Sequence, residues 1–251
     1  MCTVSILALP GVGPSYRLVT SRDEQRTRAP GEPPAWRTLG GVRVLSPRDP
    51  VGGGTWVATT DGGVTLCLLN GNLGRPVALP KRARSRGELI ERLIGLDSIE
   101  AMIDATRGES LDPYPPFRLV AIVPVRGEGA GVRIADLFWD RAAPVWTLDH
   151  AAPICFVSSG LGDDRVVPRL GLFDSMVRGE RRPSAQDAFH DHVWPERPEI
   201  SVRMSREDAR TVSITAVTVL CGPDGGAQVT YEYRPVADGV GGALASGRHN
   251  G

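Results

Sequence analysis

The chain has 251 residues, enough to bury a substantial hydrophobic core. Its 29 Lys+Arg balance 29 Asp+Glu, and the absence of net charge argues against nucleic acid or an anionic membrane as the main partner. No apolar run approaches the ~20 residues of a membrane span. The first residues lack a basic leader and meet Pro10-Gly11 at once, so no signal peptide is expected. The four cysteines (Cys2, Cys67, Cys155, Cys221) are scattered without a Cys-x-x-Cys pair. Free thiols in a reducing cytoplasm are therefore expected.

In chain order, residues 3–9 and 16–21 read as strands joined by a short connection. Residues 26–42 are rich in Pro, Gly and small side chains and read as a loop. Two more strands, 55–60 and 64–70, flank Asp61-Gly62-Gly63, a tight hairpin turn. Ser85-Arg86-Gly87-Glu88 has the spacing of a capping box, and Leu89, Ile90, Leu93 and Ile94 supply a helical apolar face. A second helix restarts at 97–100 and runs to about 107. Strands are expected at 117–125, 132–139 and 154–158. A third helix is expected from 164 towards 178, with Pro168 as a start or kink. Ser184 is expected to cap a short fourth helix. Strands 212–220 and 228–234 enclose a turn at 222–226, and 237–251 reads as an irregular tail. Strands first, helices in the middle and strands last give an α+β layered domain over 1–236.

The residues with chemistry begin at the second position. Cys is small enough for the initiator Met to be removed, which would leave Cys2 with both a thiol and a free α-amine. These titrate at roughly 8.5 and 8, so one residue can supply attacker and base. Further on come Ser21-Arg22-Asp23-Glu24, Gly52-Gly53-Gly54-Thr55-Trp56, Gly63-Val64-Thr65-Leu66-Cys67-Leu68-Leu69-Asn70 and Ser85-Arg86-Gly87-Glu88-Leu89.

This ordered set resembles the NRDE family, also called transport and Golgi organisation protein 2-like proteins, which are similar to the N-terminal-nucleophile (Ntn) amide hydrolases. The resemblance covers roughly the first hundred residues. It implies an αββα sandwich of two stacked antiparallel sheets flanked by helices. It also implies roles for particular residues: Cys2 as nucleophile, Asp23 on the α-ammonium, Arg22 favouring the thiolate, and Asn70 at the oxyanion. Arg210, ahead of a late strand, would be a distal site arginine, and Trp56 a pocket wall. The family's Asn-Arg-Asp-Glu stands here as Ser21-Arg22-Asp23-Glu24, and a later Ser-Asn-Ser-like element as Val157-Ser158-Ser159-Gly160.

Two functions follow from this resemblance. One is hydrolysis of a small non-peptide amide. The other is a non-enzymatic handling role, in haem trafficking or lipid and membrane-traffic homeostasis, which the two departures favour. For haem the chain offers no Cys-Pro pair and no evident axial pair, and no cofactor is expected.

Other patterns read as structure. Gly52-Gly53-Gly54 lacks the Gly-Lys-Ser/Thr ending of a phosphate loop and precedes a strand, so it suits a close approach of two backbones. The basic run 81–86 reads as a solvated loop, or as a dock for an acidic substrate group. Asp187, His190, Asp191 and His192 cannot easily share a metal, because helical neighbours two apart point to different faces. Cys67, in a strand, reads as a buried small hydrophobe.

Overall fold

The computed structural model describes residues 2–11, 13–75, 77–222 and 226–237, and the backbone of 247–250. Thirteen strands and four α-helices are ordered as β1 (Cys2–Ala8), β2 (Tyr16–Gln25), β3 (Glu32–Leu39), β4 (Val42–Arg48), β5 (Val57–Thr60), β6 (Thr65–Asn70), α1 (Gly87–Leu93), α2 (Ile99–Arg107), β7 (Phe117–Val125), β8 (Gly131–Trp139), β9 (Pro144–Thr147), β10 (Ile154–Ser158), α3 (Pro168–Phe173), α4 (Pro183–His190), β11 (Ala209–Cys221), β12 (Ala227–Pro235) and β13 (Gly247–Asn250). They form two antiparallel sheets, one ordered β10-β1-β2-β11-β12-β13 and the other β3-β4-β5-β6-β7-β8-β9.

Side-chain alternation along the strands builds the layers. Val4, Ile6, Tyr16 and Leu18 from the first sheet meet Leu45, Val57, Leu69, Val120 and Ile122 from the second in an inter-sheet core. The outer face of the second sheet, with Val44, Leu66, Leu68 and Leu119, is covered by Leu89, Ile90, Leu93 and Met102 of α1 and α2. The outer face of the first sheet meets Phe173, Val177 and Phe189 through Leu7. The result is the αββα sandwich.

Residues 26–42, expected as a loop, hold β3 and the start of β4. The prolines explain both the misreading and the outcome. Glu32-Pro33-Pro34 lies on a sheet edge, where missing N–H donors cost little, and the pairing with β4 shifts register between Glu32 and Ala35. Of the other strands missing from the sequence reading, β9 is the opposite edge of this sheet. Strand β2 extends four residues past the expected end, so Arg22, Asp23 and Glu24 lie within a paired strand and not after it. Arg210 likewise falls inside β11.

At the hairpin, Gly63 adopts φ +90° and its N–H bonds to Thr60 O (2.9 Å). Before α1, Glu88 reaches back to the Ser85 N–H (3.3 Å), but the Ser85 hydroxyl makes no cap bond, so half of the capping box forms. Ser98 does cap α2, accepting from the Ala101 N–H (3.2 Å). Pro168 starts α3, and Pro183 opens α4 in place of a Ser184 cap. The centre of the turn expected at 222–226 lies outside the described residues, as does most of the tail expected at 237–251. Gly247–Asn250 of that tail pairs with β12 as a strand. Among the described residues no helix is long and apolar enough to cross a membrane.

Candidate active site

The β1–β2 hairpin fixes the centre of the site by register. Cys2 sits opposite Arg22 on one side and opposite Ser158 of β10 on the other. Cys2, Arg22, Asp23, Trp56 and Asn70 all line one cavity of about 280 Å³, together with Glu24, Arg28, Asp49, Gly54 and the 84–87 segment. Both sheets contribute to it.

Strand alternation separates the roles of neighbouring side chains. Arg22 points between the sheets and stacks on the Trp56 ring from the facing sheet, 4.5 Å from its centroid. Its guanidinium also lies 3.2 Å from Glu24 and 3.8 Å from Asp49. Arg28 completes this cluster, 2.6 Å from Asp49 and 3.5 Å from Glu24. The Trp56 indole N–H is buried with no hydrogen-bond partner among the described residues.

Asp23 turns to the opposite face. The Thr211 hydroxyl donates to its Oδ1 (2.6 Å), and Arg169 lies 3.9 Å from its Oδ2. Burial pushes the Asp23 carboxyl up, while Arg169, the amino-terminal charge and the Thr211 bond oppose that rise. Arg169 is 1% exposed and donates to Ile200 O (3.0 Å) and the Thr3 hydroxyl (2.8 Å). No motif pointed to it. It comes from α3, which packs on the outer face of the first sheet against β10, and reaches across to Thr3 of β1.

The Cys2 thiol was expected to be poised as thiolate by its neighbours. Instead burial is the largest influence and raises its pKa. The amino-terminal charge, Arg22 and the Asp23 backbone N–H pull it down, but they do not outweigh desolvation. At neutral pH the resting group is the thiol.

Asn70 ends β6 at the same edge as Cys2. Its backbone carbonyl accepts from the Ser158 hydroxyl (2.6 Å), and the residue lines the cavity. Ser158 also accepts from Asn72 (2.9 Å), and Asp163 holds Asn72 through both its backbone N–H (3.1 Å) and its side chain (3.2 Å). This network clamps the end of β6 to the end of β10, across the two sheets. Sequence reasoning missed Asn72 and Asp163.

Arg210 does not line the cavity. It pairs in register with Glu24, and its guanidinium donates to the carbonyls of Val236 and Thr211. From outside β2, Arg169 approaches Asp23. Ser21 also points away from the cavity: its hydroxyl meets Nδ1 of His190 (2.7 Å), whose Nε2 meets the Ser5 hydroxyl (2.7 Å). Burial, with Arg17, Arg234 and Arg169 nearby, drives the His190 pKa well below its ordinary value. His190 is a structural strut between sheet and helix. Among the described residues no group of three or more His, Cys, Asp or Glu is placed to hold a metal.

Two stacked antiparallel sheets with a cysteine at the start of the first strand define an Ntn-hydrolase-like fold. Two solved structures of this kind are similar. One is the Caenorhabditis elegans ortholog of N-acylethanolamine-hydrolyzing acid amidase, at 14% identity over 85% of this chain and 91% of that one, with a TM-score of 0.54. The other is the C2A mutant of conjugated bile acid hydrolase from Clostridium perfringens, at 9% identity over 100% of this chain and 92% of that one, with a TM-score of 0.53. The chain belongs to the Transport and Golgi organisation 2 family, which matches over residues 1–130. No curated protein matches it in sequence.

Proposed function

We propose that this protein is an N-terminal-cysteine amidohydrolase acting on a small non-peptide amide. The observation that carries this reading is the convergence of Cys2, Arg22, Asp23 and Asn70, from two sheets, on one cavity. After removal of Met1, the Cys2 α-amine takes the thiol proton as Sγ attacks the amide carbonyl. The Asn70 amide, held by the Ser158 clamp on its own carbonyl, donates to the oxyanion. Asp23 anchors the resulting ammonium, and Arg22 offsets charge near the sulfur. The ammonium gives its proton to the leaving nitrogen as the C–N bond breaks. Water then cleaves the thioester, releasing the acid and restoring the thiol.

A raised thiol pKa suits this sequence of steps, since the proton leaves only when the amine and the substrate are both in place. The cytoplasm, where free thiols persist, is the compartment this chemistry favours. The second reading, a ligand-handling protein, draws on Ser158, which stands opposite Cys2 where the resemblance calls for an Asn nearby. Haem finds little to hold it in this cavity. Among the described residues no histidine lines it, and Cys2 is the one soft ligand there.

Intact mass of the purified protein tests the first step, and the expected result is loss of Met1. Release of acid from a panel of N-acyl amides should stop with Cys2→Ala. Retention of Met1, or unchanged release by the variant, would remove Cys2 from the mechanism.

A further inference from the structure

Of the four arginines lining the Cys2 cavity, three are matched by carboxylates: Arg22 by Glu24, Arg28 by Asp49 and Arg84 by Glu88. Arg86 is different. Its Nη1 donates to Pro116 O (3.0 Å), and among the described residues no carboxylate forms an ion pair with it. Burial presses its pKa down, while Cys2 and Glu24 act in the opposite sense. A largely buried guanidinium with unused donors is costly to keep without an anion.

Arg86 also lines a second cavity, of about 570 Å³, which shares Pro115 with the first. Apolar side chains form much of its wall: Leu73, Val77, Leu79, Pro116 and Leu161. Leu79 and Leu161 are 57% and 45% exposed, and so remain uncovered beside Arg86, which forms no ion pair among the described residues. The two cavities adjoin at Arg86 and Pro115, with Cys2 lining one and the apolar wall lining the other.

We propose that Arg86 and this apolar wall select an anionic amide. A carboxylate on the substrate seats on Arg86, and an apolar chain lies along Leu73, Leu79 and Leu161. One unpaired guanidinium matches the single charge of a carboxylate. A dianionic phosphate would need a second free cation, whereas Arg22, Arg28 and Arg84 are committed and Arg75 of the second cavity lies 3.7 Å from Asp140. The assignment rests on the hydrolase reading of the same site for the bond that is cut, whereas binding asks nothing of Cys2.

Calorimetric titration of the full chain carrying Cys2→Ala, which keeps an amide intact, tests the selection with three probes. N-dodecanoylglycine carries both chain and carboxylate, N-dodecanoylglycinamide is its neutral counterpart, and N-acetylglycine lacks the chain. N-dodecanoylglycine should bind about tenfold or more tighter than either. Arg86→Gln should erase the preference over the glycinamide but keep the preference over N-acetylglycine, and Arg86→Lys should retain part of both. Equal affinity for acid and glycinamide would overturn the role of Arg86, and that comparison needs no Arg86 variant to fold. Equal affinity for the long-chain and short-chain acids would overturn the apolar wall. Dodecanoate release by the unmutated chain is measured in parallel. Selective binding without release would uphold the anion site and sink the hydrolase reading.

Discussion

Burial sets the behaviour of Cys2 more than any neighbouring charge. With its pKa raised, the group is neutral through the physiological range, and its alkylation should accelerate with rising pH and still be climbing above pH ~9. Iodoacetamide labelling followed by peptide mapping across pH 6–10 checks this; a plateau by about pH 8 would mean that the amine and Arg22 outweigh desolvation. Arg169 makes a second case at this scale. It is a fully buried cation whose partners are a carboxylate at 3.9 Å, a hydroxyl and a carbonyl. Arg169→Met leaves the Asp23 carboxylate buried without its main counter-charge, so a loss of about 3 kcal/mol is expected in urea unfolding. As a positioning residue, it should also shift the acid limb of any pH–rate profile upward, because removing a positive neighbour raises the Asp23 pKa further.

Among the elements, the approach of the 52–54 loop to the start of α1 forms a wall of the cavity. A Cβ on Gly87 would lie 3.0 Å from Thr55 O and 3.1 Å from Thr55 N, and one on Gly54 would meet the Gly87 Cα at 3.2 Å. Those contacts are with backbone, which cannot swing aside. Gly87→Val should therefore cost about 1–3 kcal/mol by overpacking, and should impair substrate handling more than stability alone explains, since Arg86 moves with the helix start. Denaturant midpoints alongside ligand affinity check both parts. Of the triple-glycine run, Gly54 makes the close backbone contact that its sequence context implied. The clamp of Asn70, Asn72, Ser158 and Asp163 does comparable work at the other wall, tying one sheet's strand end to the other's.

At the scale of the molecule, the first sheet is joined to its helical layer by polar contacts as well as packing. His190 is wholly buried between Ser5 and Ser21, and Gln186 donates to both the Ser5 hydroxyl (2.9 Å) and the Ser5 carbonyl (3.1 Å). A histidine whose folded pKa is depressed supports the fold fully above its unfolded value and loses that support as pH falls. Stability should therefore decline below about pH 6.5. His190→Gln should flatten that decline, at some cost in stability at pH 8. Thermal melts of both chains between pH 5 and 8 decide it; parallel slopes would assign the acid sensitivity elsewhere.

The sequence by itself determined the strands with clean alternation, the hairpin at Asp61-Gly62-Gly63, and the nearness of Cys2 to Arg22. Each depends on short-range geometry: period-two side chains, a turn residue at positive φ, and a short connection between antiparallel strands. The family motifs marked Asp23, Trp56 and Asn70 as well. Only the tertiary structure decided which of these share a cavity, because that depends on how two sheets stack. It placed Arg210 outside the cavity and brought Arg169 beside Asp23, since a helix packed on the outer face of the first sheet leaves no periodic trace near the motif it serves. It also turned Ser21 away from the site, and left Arg86 as the one cavity arginine without an ion-pair partner among the described residues. Charge pairing and desolvation are properties of neighbours in space, and in this chain most of those neighbours are far apart in sequence.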